Sequence, residues 1–104
     1  MLELDEKTFE KEVTESKKLI VDFFADWCGP CKALAPALEK LSQEYKDVKF
    51  AKVNVEVSPE LSEKNEVRGI PCIILFKNGK EADRLVGYRT EEILKKDIDA
   101  MIKA

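Results

Sequence analysis

The sequence predicts an α/β fold in which a central mixed sheet of five strands is flanked by four helices. Strand-like and helix-like patterns alternate over the first part of the chain, which favours parallel strands with helices on both faces. The near-continuous apolar run Leu19–Phe24 is typical of a central strand covered on both sides. Near the end, Asn78–Gly79 predicts a hairpin, and the full element order becomes β-α-β-α-β-α-β-β-α.

The N-terminal segment predicts a strand and a helix ahead of that apolar run. Leu2–Leu4 is a candidate short strand. Asp5 is a suitable helix cap, and the helix through about Thr14 would turn Phe9 and Val13 inward.

The second helix is predicted to begin at Cys31. Its apolar residues step by three and four positions, which places them on one face. They are Cys31, Leu34, Leu38, Leu41 and Tyr45. Pro36 falls inside this helix, where a proline removes a backbone hydrogen bond and favours a kink, so we expect a structural role for it.

The third strand is predicted at Val48–Val55, where apolar residues recur. A helix start follows it, with Ser58 as the N-cap, Pro59 in the first helical position and Glu60 in the first turn.

The remaining segments predict a hairpin and a last helix. Cys72–Phe76 is an apolar strand, and Lys80–Val86 is expected to return antiparallel to it. Thr90 is a candidate cap for the last helix, which begins with two glutamates. Its predicted buried stripe is Ile93, Leu94, Ile98, Met101 and Ile102.

Length and composition predict a soluble globular protein. The 104 residues suffice for one core, and we assign residues 1–104 to a single domain. The net charge is −3 with both signs interspersed, so we expect no nucleic-acid surface. No apolar run approaches the roughly 20 residues of a membrane helix, and no signal-peptide pattern is visible at the N-terminus. The chain has no histidine, which excludes imidazole as a base or metal ligand.

The cysteines point to redox chemistry. Cys28 and Cys31 are separated only by Gly29 and Pro30, a spacing that allows a small disulfide to close and open. With Cys72 the count is odd and low, which makes a poor structural framework. Without an export signal a reducing compartment is favoured, where close pairs are catalytic, redox-sensing or metal-binding. Two alternatives are an inert disulfide and a zinc site, although zinc needs about four ligands.

The position of the pair before a helix favours a reactive thiolate. Unpaired N–H groups and the helix dipole stabilise negative charge there, and Lys32 adds a positive charge. Pro30 suits a helix start because it has no N–H. We expect Cys28 to be the more exposed thiol and to attack a disulfide, and Cys31 to resolve the mixed disulfide.

The chain resembles the thioredoxin family over nearly its whole length. A lone pair of cysteines would be weak support, but several blocks occur in that family's order and spacing. They are Val21–Lys32, which contains Trp27-Cys28-Gly29-Pro30-Cys31-Lys32, together with Ala35–Pro36, Ala51–Val55, Arg68–Pro71, Phe76–Gly79 and Val86–Gly87. The resemblance implies a thioredoxin fold and a thiol–disulfide oxidoreductase, an enzyme that reduces protein disulfides.

The same resemblance implies roles for two charged residues. Asp22 is a lone carboxylate in an apolar strand, where burial should raise its pKa. It would lie behind Cys31 and take or relay the proton of that thiol, while Lys52 would tune it by charge. The alternatives are a hydrogen-bonded, idle aspartate and a solvated lysine.

For the Ile70–Pro71 bond the resemblance implies the cis form, packed against the cysteine pair. Pro71 would keep metals away from the thiols, and the Ile70 backbone would pair with an extended substrate segment. A trans turn proline is the alternative. The implied apolar substrate-binding surface contains Trp27, Gly29, Pro30, Ile70, Pro71, Val86 and Gly87, with Tyr88 as a further candidate.

Two residues depart from the family pattern. Cys72 stands where threonine is common, next to Pro71. It is either a small buried substitute or a regulatory thiol that pairs with an active-site cysteine or is oxidised. Phe24 stands where a second tryptophan is often found, which leaves Trp27 as the one tryptophan.

The predicted function is therefore reduction of protein disulfides through a reversible Cys28–Cys31 dithiol/disulfide. We expect no bound cofactor or metal, a cytoplasmic monomer, disulfide-containing protein substrates, and a thioredoxin reductase that regenerates the dithiol. Two alternatives remain at this point. One is a binding module of the same fold, and the other is a specialised oxidant or isomerase.

Overall fold

The computed structural model describes residues 1–104, and its elements follow the predicted order. The strands are β1 (Leu2–Leu4), β2 (Lys18–Phe24), β3 (Lys49–Asn54), β4 (Cys72–Lys77) and β5 (Lys80–Val86). The helices are α1 (Phe9–Glu15), α2 (Gly29–Glu44), α3 (Pro59–Lys64) and α4 (Glu91–Lys103). The five predicted strands and four predicted helices are therefore confirmed. None of these helices has the length and apolar character needed to cross a membrane.

β2 lies at the centre of the sheet, whose strand order is β1-β3-β2-β4-β5. β3 runs parallel to both β1 and β2. β4 runs antiparallel to β2, and β5 antiparallel to β4. The sheet is thus mixed, and the prediction of a central second strand is confirmed.

Two hydrophobic clusters cover opposite faces of this sheet. One contains Leu19, Val21 and Phe23 of β2 together with residues of α1 and α3. The other contains Ile20 together with residues of α2 and α4. Because side chains alternate along a strand, Asp22 lies on the same face as Ile20, beneath α2.

α2 begins at Gly29, two residues earlier than predicted. Cys28 is the N-cap with an extended backbone, and Pro30 lies in the first turn, where its missing N–H costs no helical hydrogen bond. The predicted inner face is confirmed: Cys31, Leu34, Leu38 and Leu41 are buried, and Tyr45 is half-buried. Pro36 lies inside the helix as predicted.

Two predicted side-chain caps are not used. Asp5 lies outside α1, because its Oδ1 accepts hydrogen bonds from the backbone N–H groups of Lys7 and Thr8 at 2.9 and 3.1 Å. These bonds close a turn, and α1 begins after it at Phe9. Ser58 precedes α3 as predicted, but its hydroxyl makes no capping hydrogen bond.

α4 confirms its predicted cap and corrects one predicted core residue. The hydroxyl of Thr90 accepts a hydrogen bond from the backbone N–H of Ile93 at 3.4 Å. Leu94, Ile98 and Met101 are buried, and Ile102 is half-buried. Ile93 is exposed, because adjacent helical residues point about 100° apart and Leu94 already faces the sheet.

The predicted hairpin joins β4 to β5. Asn78 and Gly79 have φ angles of 52° and 85°, the left-handed conformation that a two-residue type I′ turn requires at both positions. β5 therefore returns along β4 and ends at Val86, opposite Cys72.

Candidate active site at the start of helix α2

Cys28 and Cys31 form a disulfide where the chain passes from β2 into α2. Their Cα atoms are 5.2 Å apart. The backbone N–H of Cys31 donates to Cys28 Sγ at 3.2 Å. Since this N–H belongs to the first turn of a helix, it favours negative charge on the Cys28 sulfur. The geometry thus supports a thiolate at Cys28 once the disulfide opens.

Cys28 is as buried as Cys31, with exposed fractions of 4% and 3%. The prediction that Cys28 is the more exposed residue is therefore wrong for this disulfide-bonded state. Packing is the reason, because the Cys28 side chain turns back over the helix start and joins Ala25 in a small cluster against which Ile70 packs.

Asp22 is a buried carboxylate without a hydrogen-bond partner at Oδ1. Burial raises its pKa from the ordinary 3.8 to about 7, and the positive charge of Lys52 opposes this rise. A carboxyl group that titrates near neutral pH can both accept and return a proton under physiological conditions. The predicted rise of the Asp22 pKa agrees with this geometry.

A cavity of about 150 Å³ connects Asp22 with Cys31. It is lined by Asp22, Phe24, Ala25, Asp26, Cys31, Lys32, Ala35 and Lys52. Its volume is sufficient for water molecules between the polar groups. The structure therefore brings the two predicted charged residues, Asp22 and Lys52, together with Cys31.

Lys52 is held over the cavity by the sheet and by an aromatic ring. It lies directly opposite Asp22 in the β2–β3 ladder. Its Nζ is 5.6 Å from the centroid of the Phe24 ring, a cation–π contact. Phe24 is therefore part of the site, although the sequence pattern did not predict a role for it there.

The Ile70–Pro71 peptide bond is cis, and it lies beside the disulfide. The Ile70 carbonyl oxygen is 4.0 Å from Cys28 Sγ. The Pro71 carbonyl accepts a hydrogen bond from the Gly87 N–H at 2.8 Å. A Cβ added at Gly69 would lie 3.2 Å from Val86 Cγ1, so the loop passes close to the end of β5.

The predicted substrate-binding residues differ in exposure. Trp27 is 69% exposed, and Val86 and Tyr88 are about half exposed. Gly29 and Pro30 are exposed, Gly69, Ile70 and Gly87 are half-buried, and Pro71 is buried. A large exposed indole beside a disulfide offers apolar contact area to another protein.

Cys72 is a buried free thiol on the other side of the sheet. Its side chain belongs to the cluster under α1 and α3, whereas Cys28 and Cys31 form a separate cluster. Burial raises the pKa of the Cys72 thiol, although nearby Arg84 opposes the rise. Proximity to Pro71 in sequence therefore does not place this thiol against the disulfide.

Asp26 is a site residue that the sequence reasoning missed. It lines the cavity, and its Oδ2 accepts a hydrogen bond from Asn54 Nδ2 at 3.5 Å. The sequence feature that could have identified Asp26 is its position two residues before Cys28, on the segment that joins the central strand to the helix.

Comparisons with known proteins agree with this arrangement. The family model described as thioredoxin matches residues 1–100. Thioredoxin-1 of Saccharomyces cerevisiae is 44% identical over 79 residues, which are 76% of this chain and 77% of the yeast protein. The thioredoxin of Buchnera aphidicola is 42% identical over 105 residues, with 99% of this chain and 97% of that protein covered. A solved structure of Plasmodium falciparum thioredoxin superimposes with a TM-score of 0.91 at 35% identity, covering 96% of this chain and 98% of that one.

These similarities, with a disulfide pair at the family's active-site spacing, show a thiol–disulfide oxidoreductase that reduces protein disulfides. A binding module without thiol chemistry is not favoured. The mixed five-stranded sheet with four helices has the thioredoxin fold. The chain belongs to the thioredoxin family.

Proposed function

We propose that Cys28 is the attacking thiolate of this reductase and that Cys31 is its resolving thiol. The observation that carries the assignment is the hydrogen bond from the Cys31 N–H to Cys28 Sγ at the start of α2. This donor and the helix dipole favour the thiolate of Cys28 over that of Cys31. Lys32, which follows Cys31 in the first turn, adds a positive charge nearby.

The proposed reaction has two thiol–disulfide exchanges. The Cys28 thiolate attacks one sulfur of a substrate disulfide, forms the mixed disulfide and releases the other substrate sulfur as a thiolate. The Cys31 thiolate then attacks Cys28 Sγ and releases the second substrate sulfur. The substrate gains two electrons, and the protein is left with the Cys28–Cys31 disulfide seen in the structure.

Asp22 is the proposed proton acceptor for Cys31. Both residues line the same cavity, and a pKa of about 7 suits proton transfer at neutral pH. Transfer through cavity water leaves Cys31 as the nucleophile that the second exchange needs. Lys52 tunes this group, because its positive charge favours the ionised form of Asp22.

The proposed substrates are disulfide-containing proteins that dock on the exposed surface around the disulfide. Trp27 and Val86 supply apolar contacts, and the Ile70 backbone supplies hydrogen bonds for an extended substrate segment. A thioredoxin reductase is the proposed electron donor. We further propose that residues 1–104 act as one domain, as a monomer, in the cytoplasm, where the reducing poise keeps thiols available.

Trapping of the mixed disulfide tests the two cysteine roles. All variants carry Cys72→Ser so that no third thiol reacts. With oxidised insulin as the substrate, Cys31→Ser is expected to accumulate a protein–insulin disulfide at Cys28, identified by mass spectrometry. Cys28→Ser is expected to form at least about tenfold less of the protein–insulin disulfide, because the Cys31 sulfur lacks the helix N–H donor that the Cys28 sulfur has. Equal trapping by both variants, or preferential trapping at Cys31, would contradict the assignment.

A further inference from the structure

Arg84 on β5 joins the sheet to the loop that follows α3. Its Nη2 donates to the Asn65 carbonyl at 2.9 Å, and its Nη1 donates to the Glu66 carbonyl at 3.2 Å. Glu81 holds the guanidinium in place, since its two carboxylate oxygens accept from Nε and Nη2 at 2.6 Å each. The side chain of Arg84 is 29% exposed, so solvent competes only partly with this network.

The loop of residues 65–71 has a second anchor on the same part of the chain. The Gly87 N–H donates to the Pro71 carbonyl at 2.8 Å. The other hydrogen bonds at the start of the loop, such as that from the Val67 N–H to the Ser62 carbonyl at 2.8 Å, lead back to α3. Arg84 is therefore the polar link between the start of the loop and the sheet.

The stretch between the two anchors reaches the disulfide at Ile70. Arg68, Gly69 and Ile70 make no backbone hydrogen bond to another backbone group. The Ile70 carbonyl lies 4.0 Å from Cys28 Sγ. Because this stretch has no backbone–backbone hydrogen bonds of its own, the anchors at its ends hold it together with the packing of Ile70 against the cysteine cluster.

The backbone conformation of Glu66, whose carbonyl accepts a hydrogen bond from Arg84, also depends on contacts with the surrounding structure. Glu66 has a φ angle of 54°, which a residue other than glycine adopts only rarely. Such conformations persist where surrounding contacts determine them. The Glu66 carbonyl is one of the two acceptors that Arg84 engages.

We propose that Arg84, oriented by Glu81, is a positioning residue that holds the Arg68–Ile70 backbone beside Cys28 for the capture of protein substrates. The proposal rests on the proposed function, in which the Ile70 backbone pairs with a substrate segment. It predicts an effect on recognition of a polypeptide and little effect on the thiol chemistry itself. Guanidinium geometry suits this role, because its three nitrogens reach two carbonyls and one carboxylate at once, whereas an ammonium group donates from a single nitrogen.

Two oxidants separate recognition from chemistry. The reduced protein is mixed with insulin, which presents polypeptide, or with 5,5′-dithiobis(2-nitrobenzoate), which does not. For Arg84→Ala we expect the KM for insulin to rise about five- to tenfold with kcat little changed, because a displaced loop weakens binding. The rate with the small disulfide should stay within about twofold of the wild type. The KM of Arg84→Lys for insulin should lie between those of the wild type and Arg84→Ala, since lysine retains the charge and one hydrogen bond.

Lys80→Ala is the matched control on the same strand, because Lys80 is exposed and forms no ion pair. It should leave both reactions unchanged. Amide hydrogen exchange at residues 67–70 should become faster in Arg84→Ala and not in Lys80→Ala.

An insulin KM equal to that of the wild type in Arg84→Ala would overturn the proposal. So would a parallel loss of both reactions in Arg84→Lys, which keeps the positive charge and decides the question if Arg84→Ala does not fold. Failure of the proposed function itself would look different, since the trapping experiment would then give equal trapping by the two cysteine variants, or preferential trapping at Cys31, whichever residue stands at position 84.

Discussion

Asp22 and Lys52 face each other across the parallel β2–β3 ladder, on the side of the sheet that α2 covers. Both side chains line the cavity that Cys31 also lines. Burial raises the pKa of Asp22 to about 7, and Lys52 limits the rise. The pair therefore places a titratable carboxyl group and a positive charge that lowers its pKa in one cavity beside a thiol.

Replacement of Asp22 by Asn should stabilise the folded protein above about pH 7 and change it little below about pH 4. The folded-state pKa of about 7 exceeds the ordinary 3.8, so the folded protein binds this proton more tightly than the unfolded chain. The stability that this bound proton contributes is complete below the ordinary pKa of 3.8 and is lost as the pH rises toward the folded-state pKa of about 7. The loss amounts to at most about 4 kcal/mol.

The free energy of unfolding in urea, measured for both proteins across this pH range, checks the expectation. Asp47→Asn, at an exposed position, serves as the control. A wild-type pH dependence retained in Asp22→Asn would show that another group causes it.

Replacement of Lys52 by Met should raise the pKa of Asp22, because it removes the positive charge that favours the ionised carboxylate. The pH at which reductase activity reaches half of its maximum should therefore move upward. In Asp22→Asn the corresponding step should vanish. Initial rates of insulin reduction against pH give the measurement, with Lys46→Met, an exposed lysine, as the control. A midpoint that stays in place or falls would contradict the role assigned to Lys52.

Cys72 should react slowly compared with the active-site pair. It is buried in the cluster on the opposite face of the sheet, and burial raises its pKa, so little thiolate is available. In the reduced protein, iodoacetamide should modify Cys28 well before Cys72, as peptide mass analysis would detect. Cys72→Ser should leave the reduction potential and the peroxide sensitivity unchanged. A shift in either quantity would support the regulatory role of Cys72, which stays a prediction.

Replacement of Gly79 by Ala should destabilise the protein by about 1 kcal/mol. Gly79 has a φ angle of 85° in the hairpin turn, where a Cβ atom is strained regardless of the space around it. Thermal unfolding of the reduced protein provides the measurement. Lys80→Ala, at the neighbouring strand residue, should change the stability by less than about 0.5 kcal/mol. Equal melting temperatures for Gly79→Ala and the wild type would refute the turn assignment.

Local patterns predicted most of the secondary structure. The apolar run of β2 and the Asn78–Gly79 turn identify their elements because strand burial and turn conformation depend on neighbouring residues. Boundaries were less accurate, as at the starts of α1 and α2. Asp5 and Cys28 have similar positions before a helix, but only the folded chain decides which backbone groups their side chains reach.

The sequence by itself determined the order of the elements, the cysteine pair at a helix start and the presence of a carboxylate within the central strand. These features depend on residue type and spacing along the chain. Tertiary structure decided that Cys28 is buried, that Ile93 is exposed, that Cys72 lies across the sheet from the cavity, and that Arg84 reaches the Asn65 and Glu66 carbonyls. Each of these depends on desolvation or contact between segments far apart in sequence, which no local pattern encodes.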